Sequence, residues 1–327
     1  MGGNMREAMF YKKLNGNKVQ CELCPHFCVI LPDEEGLCRS RKNYNGRLIA
    51  ENYGRTVTIS LDPIEKKPLF HYYPGKNILS LGPNSCNFAC EFCQNYQISQ
   101  QKVPTYRISS EYIIELCQKY DTDMVAFTYT EPFTWYEFIW DSAKILQENG
   151  IKIVMVTNGF VNPEPLKQLL PFIDAMNIDL KSMGKNFYTD ICHGRRDPVL
   201  QTIKIAATSC HMEITNLIIT NENDSDDAIE AVVNFLSEVD ENIPIHFSKY
   251  FPHYKMSNGP TSDATLYNAY HIAKNKLNYV YLGNILSENE TRCPNCGNLL
   301  VKRDFGIKSY LKDNHCPQCG QFIYGKF

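Results

Sequence analysis

Cysteine spacing constrains this chain more than any other feature of its 327 residues. Eleven of the 14 cysteines fall into three groups, and only Cys117, Cys192 and Cys210 stand alone. The groups are Cys21, Cys24, Cys28 and Cys38 (C-x2-C-x3-C-x9-C); Cys86, Cys90 and Cys93 (C-x3-C-x2-C); and Cys293, Cys296, Cys316 and Cys319 (C-x2-C-x19-C-x2-C). Four thiolates complete a tetrahedral metal site, whereas three leave a position open. The incomplete group is therefore the candidate functional centre.

Composition narrows the class of protein. Apolar residues make up 43% of the chain and charged residues 21%, which excludes disordered, collagen-like and coiled-coil proteins. The start has no apolar run typical of a signal peptide, and no apolar run is long enough to span a bilayer. We therefore expect a cytoplasmic protein with reduced thiols and no membrane partner, in which clustered cysteines indicate metal binding or catalysis.

Strands and helices alternate from about residue 76 onward. The predicted strands are 77–82, 124–130, 152–158, 175–181, 211–220, 243–251 and 279–283. Helical periodicity or helix-start residues mark 110–120, 226–239 and 262–277. This alternation predicts βαβ units and a parallel sheet, hence an α/β fold.

Three predicted strands are polar on one face near their C-terminal ends. Side chains two residues apart share a face of a strand. The polar sets are Asn177, Asp179 and Lys181; Thr128 and Thr130; and His246, Ser248 and Tyr250. Parallel sheets and barrels bind ligands at this end of their strands, so the pattern predicts a central cavity.

The three-cysteine loop, with Phe92 before its last cysteine, resembles the signature of radical S-adenosylmethionine (radical SAM) enzymes. The resemblance implies a partial (β/α)6 barrel and a [4Fe–4S] cluster on Cys86, Cys90 and Cys93. It also implies that the open iron binds S-adenosylmethionine. One electron would cleave this cofactor to methionine and a 5′-deoxyadenosyl radical, which abstracts hydrogen from a substrate.

The same resemblance implies a set of cofactor-binding residues. Those assigned to S-adenosylmethionine are Thr130, Glu131, Thr157, Asn158, Asp179, Lys181, Thr215, Asn216 and His246. Thr130 and Glu131 end the second strand, where the family's Gly-Gly-Glu-like motif meets the methionyl ammonium, and Lys181 would pair with the carboxylate. Cys192 is a candidate second hydrogen donor, against the alternative of a small buried hydrophobe. A family-like run places Lys66, Lys67 and His71 at the barrel mouth.

Motifs spread over nearly the whole chain resemble a narrower branch. CQN (93–95), TNGF (157–160) and DLK (179–181) resemble the pyruvate formate-lyase activating enzymes. DPIEKKPLFHYYPG (62–75), TYTEP (128–132) and KYFPHYK (249–255) resemble the radical SAM component of the AmmeMemoRadiSam system. The implied partners are a flavodoxin or ferredoxin as electron donor, and a protein substrate or AMMECR-type and Memo-type proteins.

The two four-cysteine groups flank the barrel. The C-terminal group predicts a structural zinc ribbon, because each C-x2-C knuckle is followed by Gly and the spacing suits four thiolates on one ion. For the N-terminal group we favour zinc over an iron–sulfur cluster, since a closed four-ligand site needs no redox role. The predicted organisation is an N-terminal Cys-rich metal module (1–58), a radical SAM barrel (59–290) and a zinc ribbon (291–327).

Three alternative functions remain open, and the substrate is not readable from the sequence. The first is a glycyl-radical enzyme activase. The second is an RNA-modifying radical SAM enzyme, which the net charges of +3 and +4 at the two ends suggest but the net charge of −10 between them opposes, so a nucleic-acid partner is not expected. The third, a non-enzymatic zinc-ribbon adaptor, leaves the open three-cysteine loop unexplained.

Overall fold

The N-terminal part of the protein is built from short antiparallel strands. The structure is a computed structural model that describes residues 5–304, 306–311 and 313–327. The strands are β1 (Tyr11–Lys13), β2 (Val19–Cys21), β3 (Val29–Ile30), β4 (Arg41–Tyr44), β5 (Arg47–Ala50) and β6 (Arg55–Thr56). Strands β1 to β3 form one small sheet and β4 pairs with β5. The four N-terminal cysteines lie among these strands.

An eight-stranded sheet forms the body of the protein. The strands of the sheet are β7 (Thr58–Pro63), β8 (Asn77–Gly82), β10 (Met124–Phe127), β11 (Lys152–Thr157), β12 (Ala175–Asp179), β13 (His211–Ile218), β14 (Ile245–Lys249) and β15 (Val280–Gly283). The short strand β9 (Tyr106–Arg107) lies between β8 and β10 in the chain but outside this sheet. The order is β15-β14-β13-β12-β11-β10-β8-β7, with seven parallel strands, antiparallel β7 at one edge, and β9 paired with β6 outside the sheet. The seven predicted strands are confirmed, and the two edge strands do not pair with each other, as in a partial barrel. The parallel strands number seven, one more than a (β/α)6 count.

Helices connect the parallel strands. They are α1 (Tyr96–Gln100), α2 (Ser110–Lys119), α3 (Tyr136–Glu148), α4 (Pro163–Leu169), α5 (Arg196–Ala206), α6 (Asp226–Asp240) and α7 (Asp263–Lys274). The three predicted helices are confirmed as α2, α6 and α7. Each begins behind a serine, Ser109, Ser225 or Ser262, whose hydroxyl accepts a backbone N–H of the first turn. None of the helices in the described residues is both long and apolar enough to cross a membrane.

The segment 64–73 covers one face of the sheet. Ile64, Leu69 and Tyr72 pack with Ile78 of β8 and with apolar residues of β10, β11 and β12. The alternate residues of the same strands, such as Leu79, belong to the larger core. The segment therefore fills one face of the sheet with side chains.

The C-terminal part packs on the edge strand β15. It contains β16 (Thr291–Arg292), β17 (Leu299–Arg303) and β18 (Ile307–Ser309). Leu300 and Ile323 form a small core with Tyr279 and Tyr281. The hydroxyl of Tyr324 accepts the backbone N–H of Met212 at 3.0 Å, near the start of β13. This part therefore sits at the N-terminal ends of the strands.

Candidate active site

The loop that carries Cys86, Cys90 and Cys93 leaves the sheet directly after β8. A Cβ atom at Gly82 would lie 2.5 Å from the Thr128 carbonyl oxygen, so only glycine allows β8 and β10 to approach this closely. The N–H of Ala89 in the loop donates to the Cys192 carbonyl at 3.1 Å. The loop is thus fixed between the end of the sheet and the segment around residue 192.

The three thiols are arranged for a group larger than one ion. Among the described residues, the only set of three or more ligand atoms that all lie within 4.8 Å of one another is the C-terminal cysteine group. The Phe88 N–H and the Asn158 amide donate to Cys86 Sγ at 3.4 and 3.8 Å. Hydrogen bonds to sulfur are one means of setting a cluster potential. The donor set and its spacing fit a [4Fe–4S] cluster with three protein ligands.

A cavity of about 410 Å³ opens beside these thiols at the C-terminal ends of the strands. Small-molecule sites typically measure roughly 300–1,000 Å³. The predicted residues that line it are Cys86, Cys90, Cys93, Thr130, Glu131, Thr157, Asn158, Asp179, Lys181 and Thr215. Lys66 and Lys67 also line it, as the sequence predicted for the mouth. The structure thus brings most of the predicted site together in one space.

Glu131 is a buried carboxylate on the cavity wall. Its Oε1 accepts the Phe133 N–H at 3.0 Å and the Thr157 hydroxyl at 2.7 Å, and its Oε2 accepts the Asn158 N–H at 2.8 Å. Burial raises the pKa of Glu131 to about 7. A carboxylate has about four acceptor positions. Oε2 therefore keeps one for a cationic group of a ligand.

Lys181 supplies a fixed positive charge to the same cavity. Its Nζ donates to Asp179 Oδ2 at 2.9 Å and lies 5.6 Å from the centroid of the Phe92 ring. Burial opposes the charged form, but Asp179 and the nearby Cys90 sulfur outweigh it and raise the pKa of Lys181. The lysine is therefore ionised at neutral pH and can pair with an anionic ligand group.

Tyr129, two residues before Glu131, has a strained backbone. Tyr129 has φ +69°, in the left-handed region that favours glycine. The Asn95 amide donates to the Tyr129 carbonyl at 2.6 Å, and the Tyr129 hydroxyl donates to Asp62 Oδ2 at 2.5 Å. Lys67 donates to the same Asp62 oxygen at 2.8 Å. Asp62 and Tyr129 were not predicted from the sequence, although the glycine position of the family motif offered a signal.

Besides Cys192, three predicted residues lie outside the cavity lining. Asn216 donates its amide to the Leu180 carbonyl at 2.7 Å. His246 Nε2 donates to the buried Glu213 Oε2 at 2.7 Å, and the backbone N–H of His71 donates to Glu213 Oε1 at 2.7 Å. The expected positions of His71 at the mouth and of His246 beside the cofactor are therefore corrected. Both belong to a polar cluster around Glu213, which is near the N-terminal end of β13 and could not be paired from the sequence.

Cys192 lies beside a cluster cysteine rather than in the cavity. It is fully buried. Its thiol contacts Cys90, and this contact together with burial raises the pKa of Cys90. The structure therefore places Cys192 against the three-cysteine loop and outside the cavity lining.

The two four-cysteine groups differ in geometry. In the C-terminal group, Sγ of Cys293 lies 3.5 Å from that of Cys319, and Sγ of Cys296 lies 3.6 Å from that of Cys316. All four sulfurs are within 4.8 Å of one another, so they could hold one metal ion. The four N-terminal cysteines instead line a cavity of their own.

Comparison with known proteins agrees with this site. The sequence model of the Radical SAM superfamily matches residues 82–236. An uncharacterized protein of Methanocaldococcus jannaschii is 43% identical, over 98% of this chain and 99% of its own length.

Solved structures are similar at low sequence identity. A radical SAM methyltransferase from Sphaerobacter thermophilus has a TM-score of 0.52 at 15% identity, covering 64% of this chain and 67% of that one. A domain of a pyruvate-formate lyase-activating enzyme from Bacteroides vulgatus has a TM-score of 0.44 at 23% identity, covering 49% of this chain and 98% of that one. The likeness to the methyltransferase shows a shared fold.

Proposed function

The chain belongs to the radical SAM superfamily, and from that premise we propose that it cleaves S-adenosylmethionine reductively at a [4Fe–4S] cluster held by Cys86, Cys90 and Cys93. The observation that carries this proposal is the shared cavity, where the three thiols meet Glu131 and Lys181. When bound, the cluster and S-adenosylmethionine supply a one-electron cleavage of the sulfonium that gives methionine and a 5′-deoxyadenosyl radical for hydrogen abstraction from a substrate.

Two charged side chains would orient the amino-acid end of S-adenosylmethionine. Glu131 keeps an acceptor position on Oε2, which suits an ammonium group because an ammonium has donors only. Lys181 would pair with the carboxylate of the cofactor, while Asp179 holds the Lys181 side-chain ammonium in place. Thr130, Thr157, Asn158 and Thr215 complete the polar wall. The cavity thus carries both an acidic and a basic side chain, which suits the two charges of an amino acid.

A cleavage assay tests this function directly. Protein reconstituted without oxygen, then given dithionite and S-adenosylmethionine, should release 5′-deoxyadenosine. Cys90→Ala should abolish this product, whereas Cys210→Ala, which changes a half-buried cysteine outside the cavity lining, should leave it unchanged. A reconstituted protein with a normal cluster spectrum and no 5′-deoxyadenosine would reject the proposal.

Within the superfamily, the motifs favour an enzyme of the AmmeMemoRadiSam type that modifies or activates a substrate not yet known. The expected partners are a flavodoxin or ferredoxin as electron donor, and AMMECR-type or Memo-type proteins. The proposed organisation is a barrel over residues 59–290 between metal modules at 1–58 and 291–327, with zinc in the C-terminal one. Gene neighbours that encode such proteins would support the assignment.

A glycyl-radical enzyme activase is the second candidate. The observation that favours it is Asn95 of the activase-like CQN motif, whose amide holds the strained Tyr129 backbone beside Glu131. The test is electron paramagnetic resonance of a neighbouring glycyl-radical enzyme after incubation with this protein, dithionite and S-adenosylmethionine. A glycyl radical that depends on Cys90 would decide for the activase.

A further inference from the structure

We propose that Cys21, Cys24, Cys28 and Cys38 bind an iron–sulfur cluster of the [4Fe–4S] type rather than a single zinc ion. All four line one cavity in the N-terminal part of the protein. Three features indicate the kind of metal group that this cavity holds: the spacing of the sulfurs, the turn after Cys24 and the surroundings of the cavity.

The separation of the sulfurs favours a group larger than one ion. A zinc–sulfur bond is about 2.3 Å long, so two thiolates on the same zinc lie no more than about 4.6 Å apart. Within the described part of the chain, the four C-terminal sulfurs all lie within 4.8 Å of one another, close to that limit, whereas no three N-terminal sulfurs do. A cube of irons and sulfides takes one thiolate at each corner, and so it holds its thiolates farther apart than a single ion does.

The backbone of the N-terminal group also lacks the turn of a zinc knuckle. In the ribbon, Gly297 and Gly320 follow the second cysteine of each pair with φ near +72° and +74°. The N–H of each glycine donates to the carbonyl of the first cysteine, Cys293 or Cys316, at 2.9 Å. Pro25 holds the corresponding place after Cys24 and has no N–H to donate.

One positively charged side chain donates to a sulfur in this cavity. The guanidinium of Arg41, which is fully buried, donates to Cys21 Sγ at 3.5 Å. A cluster with four thiolate ligands is negatively charged overall, and such donors stabilise it and set its potential.

One residue connects this cavity to the three-cysteine loop. Asn87, between Cys86 and Cys90, lines the N-terminal cavity, and its carbonyl accepts the His26 Nε2–H at 2.7 Å. Its side-chain oxygen accepts the Asn158 amide at 2.9 Å, and the same amide contacts Cys86 Sγ. A cluster here would be placed to pass one electron from a flavodoxin- or ferredoxin-class donor to the central cluster. This relay rests on the proposed function, whereas the metal assignment does not.

The proposal is tested by metal analysis of a variant that lacks Cys86, Cys90 and Cys93. The triple variant Cys86→Ala, Cys90→Ala, Cys93→Ala leaves the N-terminal group intact. After anaerobic reconstitution with iron and sulfide, it should hold about four irons per chain, against about eight in the natural protein. Reduction should give the electron paramagnetic resonance signal of a [4Fe–4S] cluster, with about one zinc in both proteins.

Adding Cys24→Ala to the triple variant should remove the remaining iron but keep the zinc. A triple variant that binds no iron, whether it carries a second zinc or no second metal, would overturn the proposal even if the Cys24 variant fails to fold. Because the readout is metal content and spectrum, this result is independent of the 5′-deoxyadenosine assay.

Discussion

The two four-cysteine groups have the same number of ligands but differ in almost every physical respect. In the C-terminal group the sulfurs are as close as 3.5 Å, and a glycine turn closes each knuckle. In the N-terminal group the sulfurs surround a cavity, and a buried arginine donates to one of them. The number of thiolates therefore does not decide the kind of site; their separation and their donors do.

The groups also lie at opposite ends of the sheet. The Tyr324 hydroxyl of the C-terminal part bonds the backbone of Met212 near the start of β13. The N-terminal part instead meets the loop after β11, where the Asn162 N–H donates to the Leu23 carbonyl at 3.0 Å. Ligands of parallel α/β sheets bind at the C-terminal ends of the strands. The N-terminal group is thus at the functional end, and the ribbon is at the structural end.

The largest expected effect is the loss of the ribbon in Cys316→Ser. Metal binding supplies the folding energy of such small modules, on the order of 10 kcal/mol in model peptides, so one missing ligand should unfold residues 291–327. The expected outcome is loss of zinc and rapid proteolysis of this segment, with unchanged iron. Cys210→Ser is the matched control.

The same substitution at Cys24 sharpens the comparison. It should remove about four of the eight expected irons and leave zinc in place, the reverse of the Cys316 result. Loss of the same metal from both variants would show that the two groups are alike.

A smaller loss of stability is expected at the contact between the N-terminal part and helix α3 of the barrel. The Arg41 guanidinium pairs with Glu137 of α3, and both side chains are only 1% exposed. Arg41→Met would leave a buried carboxylate without its partner, which typically costs about 3–5 kcal/mol. Urea titration should show that loss in the free energy of unfolding.

The surface pair of Arg47 and Glu7 provides the control for Arg41. Both side chains are exposed, and such pairs contribute about 0–1 kcal/mol, so Arg47→Met should change little. If Arg41→Met were equally mild, the N-terminal part would not depend on this ion pair.

Much of the fold could be predicted because local patterns determine it. The apolar runs of β8 and β11 and the serine caps of α2, α6 and α7 act within a few residues. Strand β7 was missed because antiparallel pairing with β8 is a long-range choice. Helices α3, α4 and α5 were not predicted from periodicity, and the conformation of Tyr129 ends β10 earlier than its apolar pattern suggests.

The candidate site divides in the same way. Residues at or a few positions beyond the end of a parallel strand, such as Asp179 and Glu131, reach the cavity because topology places all strand ends together. His246 shares a strand face with the cavity residue Ser248, but it lies one step closer to the start of β14 and meets Glu213 instead. Alternation along a strand predicts the face of a side chain, but not its depth.

The smallest expected effect is a pH dependence at the seat of the ribbon. His71 Nδ1 donates to the Tyr324 carbonyl at 2.7 Å, and its Nε2 accepts the Tyr281 hydroxyl at 2.6 Å. Burial, opposed in part by Glu213, lowers the pKa of His71 to about 3, against about 6.5 in the unfolded chain. The unfolded state therefore binds more protons between these values, and the free energy of unfolding falls as the pH drops below about 6.5.

The contribution of His71 to that slope is at most about 1.4 kcal/mol per pH unit. His71→Gln should destabilise the protein near pH 7 and flatten the slope between about pH 6.5 and 5 in urea titrations. His253→Gln, at an exposed position, should leave the slope unchanged. An equally steep slope in His71→Gln would mean that the ribbon does not rest on a neutral histidine.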